Sequence, residues 1–216
     1  LDNAPTGLLP GKDYTALVSS DNFGLGRIAA EGLSAHMPTG AEVGVLGFAA
    51  DFFATNEREI AFTKWLQVNR PDVTPRVRRF ARIEDAAASA DDLLSANPDL
   101  AGLFIVWDTP ALAAATRLAE RGATMPMATV DLGEAAAIAL AQGDSFCCIA
   151  AQQPFLQGIA AAQTVILCLL GRPVPAWIAL PGIGVTRDNV VESFQTIWRQ
   201  PAPREVLRML GLSRGT

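Results

Sequence analysis

Residues 101–131 have the sequence AGLFIVWDTPALAAATRLAERGATMPMATVD, which contains a strand, a helix and a second strand. The apolar runs at 101–107 and 126–130 have the length of buried strands. Between them, residues 109–121 fit a helix that Gly122 ends. A unit of this kind predicts two parallel strands that are joined by a crossover helix.

The same alternation extends in both directions along the chain. Further strands are predicted at 14–19, 43–48, 74–80 and 145–150, and further helices at 23–35, 56–68, 85–96, 133–142 and 154–170. In the tail, 176–180 is strand-like, 181–186 is predicted to be a loop, and short helices are predicted at 189–198 and up to Leu210. Strands that alternate with helices are typical of a parallel sheet that is covered on both faces. We therefore expect an α/β fold with an open parallel sheet flanked by helices on both faces.

Composition excludes several classes of partner. The chain has 216 residues, a formal net charge of −5 and a sequence pI of about 4.9. Nucleic acid and anionic membranes both require clustered lysine and arginine, so neither is an expected partner. The densest basic run, residues 76–79 (RVRR), is better explained as the solvated face of a strand.

Metal and nucleophilic chemistry are also disfavoured. The three cysteines, Cys147, Cys148 and Cys168, lie in apolar stretches and are expected to be buried, inert thiols. No C-x-x-C or Cys/His spacing predicts a metal site. The single histidine, His36, lies where a helix is expected to end. We therefore predict no metal, no cofactor and no catalytic residue.

Polar residues follow the predicted strands, at the edge where open parallel sheets bind ligands. Four of them are Arg58, Trp107, Asp131 and Gln152, and Ser20 follows the first strand. A guanidinium offers paired donors, a carboxylate accepts from hydroxyl groups, and an indole stacks on the C–H face of a sugar ring. This set suits a polyhydroxylated small molecule.

Each of these residues also has a purely structural alternative. Arg58 could be solvated and paired with Glu59 or Asp51, and Asp131 could cap helix 133–142. The indole could instead pack in the core, and the glutamine could lie on the surface. For Asp108, which follows the tryptophan, a helix cap is the favoured interpretation.

One motif predicts a different class of function. Gly24, Gly26 and Ala29 match the G-x-G-x-x-A pattern of dinucleotide-binding folds, and Asp51 follows the next strand. The first glycine should directly end the strand, but residues 20–23 intervene. Close packing of the helix on the sheet is therefore favoured, and an NAD(P)-dependent oxidoreductase is kept as an alternative.

Six segments together resemble one family. They are 18–26 (VSSDNFGLG), 56–62 (NEREIAF, similar to R-x-x-G-F with alanine for glycine), 96–100 (ANPDL), 129–131 (TVD, similar to G-x-D), 152–154 (QQP, similar to Q-x-P) and 184–190 (GVTRDNV). Their order and spacing resemble the type I periplasmic sugar-binding proteins of ABC importers, of the ribose-binding class. The resemblance covers almost the entire chain.

The resemblance implies a solute-binding protein in the periplasm that holds one pentose, hexose or polyol between two lobes and delivers it to a membrane permease. It implies binding residues at Asp2, Ser20, Arg58, Trp107, Asp131 and Gln152. Ribose binders carry asparagine at the position of Trp107, so the resemblance favours a sugar other than ribose. The effector domain of a LacI-type sugar-responsive regulator shares the fold and is the alternative.

The resemblance also implies a division of the chain. Residues 1–11 would end the first lobe and cross the hinge, 12–150 would form the second lobe, and 151–216 would return to the first lobe and supply the tail. Most of the first lobe would then be missing, and sugar binding would fall to roughly millimolar affinity. Helix 154–170 would expose an apolar face that a second copy of the chain is expected to cover. That face consists of Phe155, Ile159, Val165, Ile166 and Leu169.

Overall fold

The structure of the protein is a computed structural model that describes residues 1–212. Its strands are β1 (Leu17–Ser20), β2 (Glu42–Phe48), β3 (Thr74–Phe80), β4 (Leu100–Ile105), β5 (Met127–Val130), β6 (Phe146–Ala151), β7 (Trp177–Leu180) and β8 (Ile183–Val185). Its helices are α1 (Asn22–Ser34), α2 (Phe53–Asn69), α3 (Ala86–Ala96), α4 (Asp108–Glu120), α5 (Glu134–Gln142), α6 (Pro154–Leu169), α7 (Val190–Trp198) and α8 (Arg204–Met209). Positions 213–216 of the predicted tail lie outside the described residues.

The main sheet has six strands in the order β3-β2-β4-β5-β6-β8. Its first five strands are parallel, and β8 pairs antiparallel with β6. Helix α1 packs beside α2, whereas α3, α4 and α5 pack beside one another in a second group. Every residue of β5 is buried, as expected for a central strand that is covered on both faces. The predicted α/β fold, with its open and mostly parallel sheet, is confirmed.

The tail contains one strand that the sequence did not predict. Residues 183–185 were expected to belong to a loop, but they form β8, which pairs with residues 149–151 of β6. The strand has three residues and follows Pro181 and Gly182, so it carries no alternation long enough to detect. Its stability comes from a strand that is distant in sequence.

Strand β1 lies outside the main sheet. It pairs in parallel with β7, and these two strands form a separate sheet. Residues 17–20 therefore share a sheet with residues 177–180, whereas the family resemblance implied that they belong to the 12–150 lobe. At the end of this small sheet, Ser20 lies next to the start of α1 and close to the ends of the main-sheet strands.

The glycines of the G-x-G-x-x-A motif have a packing role. A Cβ atom at Gly26 would lie 2.3 Å from the carbonyl oxygen of Arg58 and 2.9 Å from the Cβ atom of Ala61. At Gly24, a Cβ atom would lie 2.3 Å from a carboxylate oxygen of Asp21, which caps α1 by accepting from the Gly24 amide at 2.8 Å. The close contact at Gly26 is therefore between α1 and α2, rather than between a helix and the sheet as predicted.

The basic run on β3 faces solvent and is neutralised. Arg76, Arg78 and Arg79 have half-exposed side chains that pair with Glu42, Asp92 and Glu59, respectively. Each arginine therefore already has a carboxylate partner, which agrees with a solvated strand face. Within residues 1–212, no helix has both the length and the apolar character that crossing a bilayer requires.

The apolar face of α6 is exposed, as its pattern predicted. Its five side chains, at positions 155, 159, 165, 166 and 169, are between 41% and 82% exposed. The α/β core lies elsewhere, around contacts such as the stacked rings of Phe62 and Phe104, whose centroids are 4.2 Å apart. Association of two copies through α6 stays a prediction.

Candidate functional site

Five of the six predicted binding residues line one cavity of about 280 Å³ at the carboxyl ends of the main-sheet strands. The cavity is bounded by Asp2, Phe48, Phe52, Ala54, Thr55, Arg58, Ile83, Trp107, Asp131 and Gln152. Trp107, Asp131 and Gln152 follow β4, β5 and β6, three neighbouring strands. Parallel strands end at the same edge of a sheet, which is why residues far apart in sequence meet here.

Arg58 is held in one orientation from inside the protein. Arg58 is only 3% exposed, although its guanidinium group stays charged. Nε donates to Oδ1 of Asn22 at 3.0 Å, and Nη1 donates to the carbonyl oxygen of Val106 at 3.0 Å and to Oδ2 of Asp131 at 3.4 Å. Nη2 has no hydrogen-bond partner within residues 1–212, so its donors are available at the cavity.

The alternative partners proposed for Arg58 are engaged elsewhere. Glu59 accepts from Arg79 on the edge strand, and Asp51 accepts from the Asn56 side chain at 2.8 Å. Arg58 therefore is not a solvated arginine that is paired along its own helix. Its backbone position follows from the close approach of α1 and α2 described above.

Asp131 joins the arginine to the rest of the site. Its Oδ2 accepts from Arg58, its Oδ1 accepts from Nε2 of Gln152, and its side chain remains 28% exposed. Its backbone has φ = +74°, a left-handed conformation that aspartate and asparagine tolerate better than other non-glycine residues. Asp131 does not cap α5, because the residue at the start of that helix is Gly133.

Asp108 contributes a cap, but to a neighbouring helix. It is the first residue of α4, and its Oδ2 accepts from the backbone amide of Gly133 at 3.0 Å, at the start of α5. Burial, and then the nearby charge of Asp131, raise the pKa of the Asp108 carboxyl above its ordinary value. Asp108 therefore caps a helix, as predicted, but that helix is α5 rather than α4, which the residue itself begins.

Ser20 lies behind the cavity rather than on its wall. It is 1% exposed, and its Oγ donates to Oε1 of Gln152 at 2.7 Å. Because Oε1 of the amide faces Ser20 and Nε2 faces Asp131, both ends of the amide are fixed. The serine thus positions Gln152, and the glutamine is the residue that reaches the cavity.

Trp107 is both packed and accessible. Its ring centroid lies 5.3 Å from those of Phe48 and Phe80, in an edge and a tilted arrangement, respectively. The remaining ring surface lines the cavity. The two sequence interpretations of this residue, core packing and a stacking surface, are therefore compatible.

Asp2 reaches the cavity from the N-terminal segment. It has φ = +72°, its amide donates to the carbonyl oxygen of Val18 at 2.7 Å, and its Oδ1 accepts from Nε2 of Gln157 at 2.9 Å. Two residues that hold the site, Gln157 and Asn22, were not predicted. Gln157 pairs with Asp2, which lies 155 positions away in the chain, and no local sequence pattern extends over that distance.

The arrangement suits a neutral ligand with hydroxyl groups. Two carboxylates, of Asp2 and Asp131, line the cavity as acceptors, and one guanidinium provides donors beside the exposed surface of Trp107. No group of three or more potential metal-binding side chains occurs among the described residues. Burial raises the pKa of Cys147 to about 11 and that of Cys148 to about 12, which keeps both thiols protonated and unreactive at neutral pH.

Comparison with known families identifies this architecture. A family model described as a periplasmic binding protein domain matches residues 2–173. The chain belongs to the periplasmic binding protein family. The family resemblance drawn from the sequence is confirmed, and members of this family bind solutes rather than catalyse reactions, so the oxidoreductase alternative is wrong. No curated protein matches the chain.

Solved structures share the fold of this binding protein. An ABC transporter solute-binding protein from Mycobacterium smegmatis with bound glycerol is 24% identical, with a TM-score of 0.77 over 91% of this chain and 67% of that one. One from Agrobacterium vitis bound with alpha-D-tagatopyranose is 22% identical, with a TM-score of 0.79 over 92% and 66%. One from Agrobacterium radiobacter in complex with D-arabinose is 18% identical, with a TM-score of 0.76 over 91% and 68%. The chain spans about two thirds of the length of each.

Proposed function

We propose that this binding protein is the solute-binding component of an ABC-type sugar importer, acts in the periplasm, and delivers one pentose, hexose or polyol to a membrane permease. The observation that carries the proposal is the fixed set of Arg58, Asp131 and Gln152 beside the exposed surface of Trp107. Arg58 donates to ring oxygens through Nη2, Asp131 accepts from hydroxyl groups, and Trp107 stacks on the apolar face of the ring.

The fixed orientation of these groups favours binding. Arg58, Asp131 and Gln152 are already hydrogen-bonded to one another or to the backbone, so little side-chain freedom remains to be lost when a ligand arrives. A bulky indole in place of a small amide restricts the part of the cavity next to Phe48. This feature supports a sugar other than ribose.

We further propose that the ligand lies between two lobes. The six-stranded sheet with its helices forms one lobe, and the β1–β7 sheet with α6 belongs to the other. The separation of the two sheets supports this division, and so does the position of Asp2, which reaches the cavity from the segment that leads into β1. Closure of the lobes about the segments around Ser20 and Gln152 would bury the sugar.

Calorimetric titration at pH 7 tests the proposal with a panel of neutral sugars and polyols, including tagatose, arabinose, allose and glycerol. We expect saturable binding of at least one of them, and we expect Asp131→Asn to weaken it by roughly 10- to 100-fold, since a charge-assisted hydrogen bond is lost. The matched control is Asp99→Asn, because Asp99 is exposed and lines no part of the cavity. If the two variants bind the same sugar equally well, the proposed site is wrong.

A further inference from the structure

The loop at residues 131–133, which joins β5 to α5, begins with a residue that lines the cavity, Asp131. This residue has φ = +74°, and a non-glycine residue keeps such a conformation only where the surrounding structure holds it there. The direction of a side chain follows from the backbone that bears it. If the loop relaxed to a negative φ, the carboxylate of Asp131 would turn away from Arg58 and Gln152. The contacts that hold this loop therefore determine whether the site forms.

Side chains from two distant helices hold the loop. The carbonyl oxygen of Leu132 accepts from Nε1 of Trp198 at 2.7 Å, and the amide of Gly133 donates to Oδ2 of Asp108 at 3.0 Å. The amide of the first loop residue continues the pairing of β5 with β6 by donating to the carbonyl oxygen of Ala150 at 3.1 Å. Each residue of the loop is thus fixed by a hydrogen bond to a different part of the fold, and two of the three bonds come from side chains.

Trp198 is placed for its bond by the end of α7. It is the last residue of that helix, and Phe194 and Ile197, on the same helix, are buried. The ring centroids of Trp198 and Phe194 lie 6.3 Å apart, so the indole packs against its own anchored helix. Arg199, with φ = +55°, ends the helix directly after it. The indole donor is therefore held in place from the side of α7.

Asp108 connects the two segments that carry ligand contacts. It directly follows Trp107 at the start of α4, and its bond to Gly133 joins this segment to the one that begins with Asp131. The approach is close, because a Cβ atom at Gly133 would lie 2.7 Å from the same carboxylate oxygen. Neither Asp108 nor Trp198 lines the cavity of about 280 Å³, so any effect that they have on a ligand there is indirect.

We propose that Asp108 and Trp198 are positioning residues for sugar binding, which together hold the 131–133 loop in the conformation that directs Asp131 into the cavity. This inference rests on the proposed function, because it adds two residues that act on the sugar through Asp131. Loss of either bond lowers the fraction of molecules whose loop is competent to bind, and the apparent affinity falls with that fraction. One hydrogen bond changes such an equilibrium by about two- to tenfold.

The first test measures stability and needs no sugar. Asp131→Gly and Asp131→Ala are compared by urea unfolding in the wild-type chain and again in Trp198→Phe, which keeps an aromatic ring and loses the indole donor. Alanine tolerates a positive φ poorly, so its urea midpoint should lie below that of glycine in the wild-type chain. Without the bond to Leu132 the alanine variant can relax, and we expect the gap between the two midpoints to shrink by about half.

Two results of this test would overturn the inference. One is the absence of a gap in the wild-type chain. The other is a gap that stays the same in Trp198→Phe, because a tryptophan that merely packs would lower both midpoints equally. Asp108→Ala removes the other side-chain bond and gives the same comparison if Trp198→Phe fails to fold.

The second test is calorimetric titration with whichever sugar of the panel above binds most tightly. Trp198→Phe and Asp108→Ala are each expected to weaken binding by about two- to tenfold. Asp108→Asn should stay within about twofold of the wild type, because its amide oxygen can still accept from Gly133. In Asp131→Gly no side chain remains to be positioned, so adding Trp198→Phe should weaken binding no further.

The matched control is Trp177→Phe, which also loses an indole hydrogen bond. Trp177 is 48% exposed, donates its Nε1 to Oγ of Ser19 at 2.9 Å and lines no part of the sugar cavity. Equal losses of affinity in Trp177→Phe and Trp198→Phe, or further weakening of Asp131→Gly by Trp198→Phe, would overturn the inference and leave the proposed function standing. Absence of binding by every sugar would overturn the proposed function, and the urea comparison would still decide whether Trp198 and Asp108 hold the loop.

Discussion

Asp131 contributes to the stability of the protein in three ways, and different substitutions of this residue remove them one at a time. The residue provides a negative charge to Arg58, a hydrogen-bond acceptor to Gln152, and a left-handed backbone conformation. At 3.4 Å, and with an effective dielectric constant of about 20, the attraction between the charges is at most about 5 kcal/mol. The carboxylate is 28% exposed and Arg58 keeps two other acceptors, so we expect Asp131→Asn to cost only about 1–2 kcal/mol.

Replacement by glycine and by alanine isolates the backbone term. Asp131→Gly removes both hydrogen bonds without conformational strain, and we expect it to cost about 2–3 kcal/mol. Asp131→Ala removes the same bonds and also forces a Cβ atom into the left-handed region, which adds about 1–2 kcal/mol. Glycine loses part of this advantage through the entropy of its unfolded chain, so we expect it to exceed alanine in stability by about 1 kcal/mol.

Urea unfolding followed by circular dichroism at pH 7 measures these differences. At ordinary positions with negative φ, alanine is the more stable of the two residues, so the expected order at position 131 is a reversal. Equal stabilities, or an alanine variant more stable than the glycine variant, would refute the view that Asp131 is held in a strained conformation. An Asp131→Asn variant as unstable as Asp131→Gly would instead show that the charge dominates.

The remaining predictions concern packing, titration and ligand contact. Gly26→Ala is expected to destabilise the protein by about 1–3 kcal/mol, because its Cβ atom would clash with the α2 backbone. The control is Gly158→Ala, in open space on α6, which should be neutral or stabilising by up to about 1 kcal/mol. Equal urea midpoints for the two variants would contradict the packing argument. The raised pKa values of Cys147 (about 11) and Cys148 (about 12) mean that the unfolded chain loses these protons first, near pH 9. Their contribution to stability is therefore complete below about pH 9 and declines as the pH rises towards 11–12, and a double alanine variant should show a smaller decline of the urea midpoint between pH 8 and 10.5. Trp107→Ala should weaken sugar binding by about two- to tenfold and Trp107→Phe by less, as titration calorimetry would measure; an unchanged affinity in both would remove the indole from the site.

Elements with a long local pattern were predictable. The strand–helix–strand unit at 101–131 and the units on both sides of it appear in the structure with boundaries that differ by a few residues. Polar residues placed directly after buried strands were also recognisable as site candidates, because the geometry of a parallel sheet brings such positions to one edge. That rule selected Trp107, Asp131 and Gln152, which line the cavity.

Contacts between distant segments were not predictable. Strand β8 depends on pairing with β6, and β1 depends on pairing with β7, although its apolar pattern resembles that of a main-sheet strand. Ser20 was expected at the ligand but supports Gln152 from behind, since which side of a residue faces the cavity is decided by packing. The role of Gln157 likewise follows from a partner far away in the chain, Asp2.

By itself, the sequence determined the α/β class, the order of its elements and the family, because hydrophobic periodicity and motif spacing act over a few to a few tens of residues. Only the tertiary structure decided how the polar residues at the sheet edge are shared between ligand and scaffold. Arg58 shows the reason: its orientation depends on Asn22, Val106 and Asp131, from three separate segments that meet only when α1, β4 and β5 have packed.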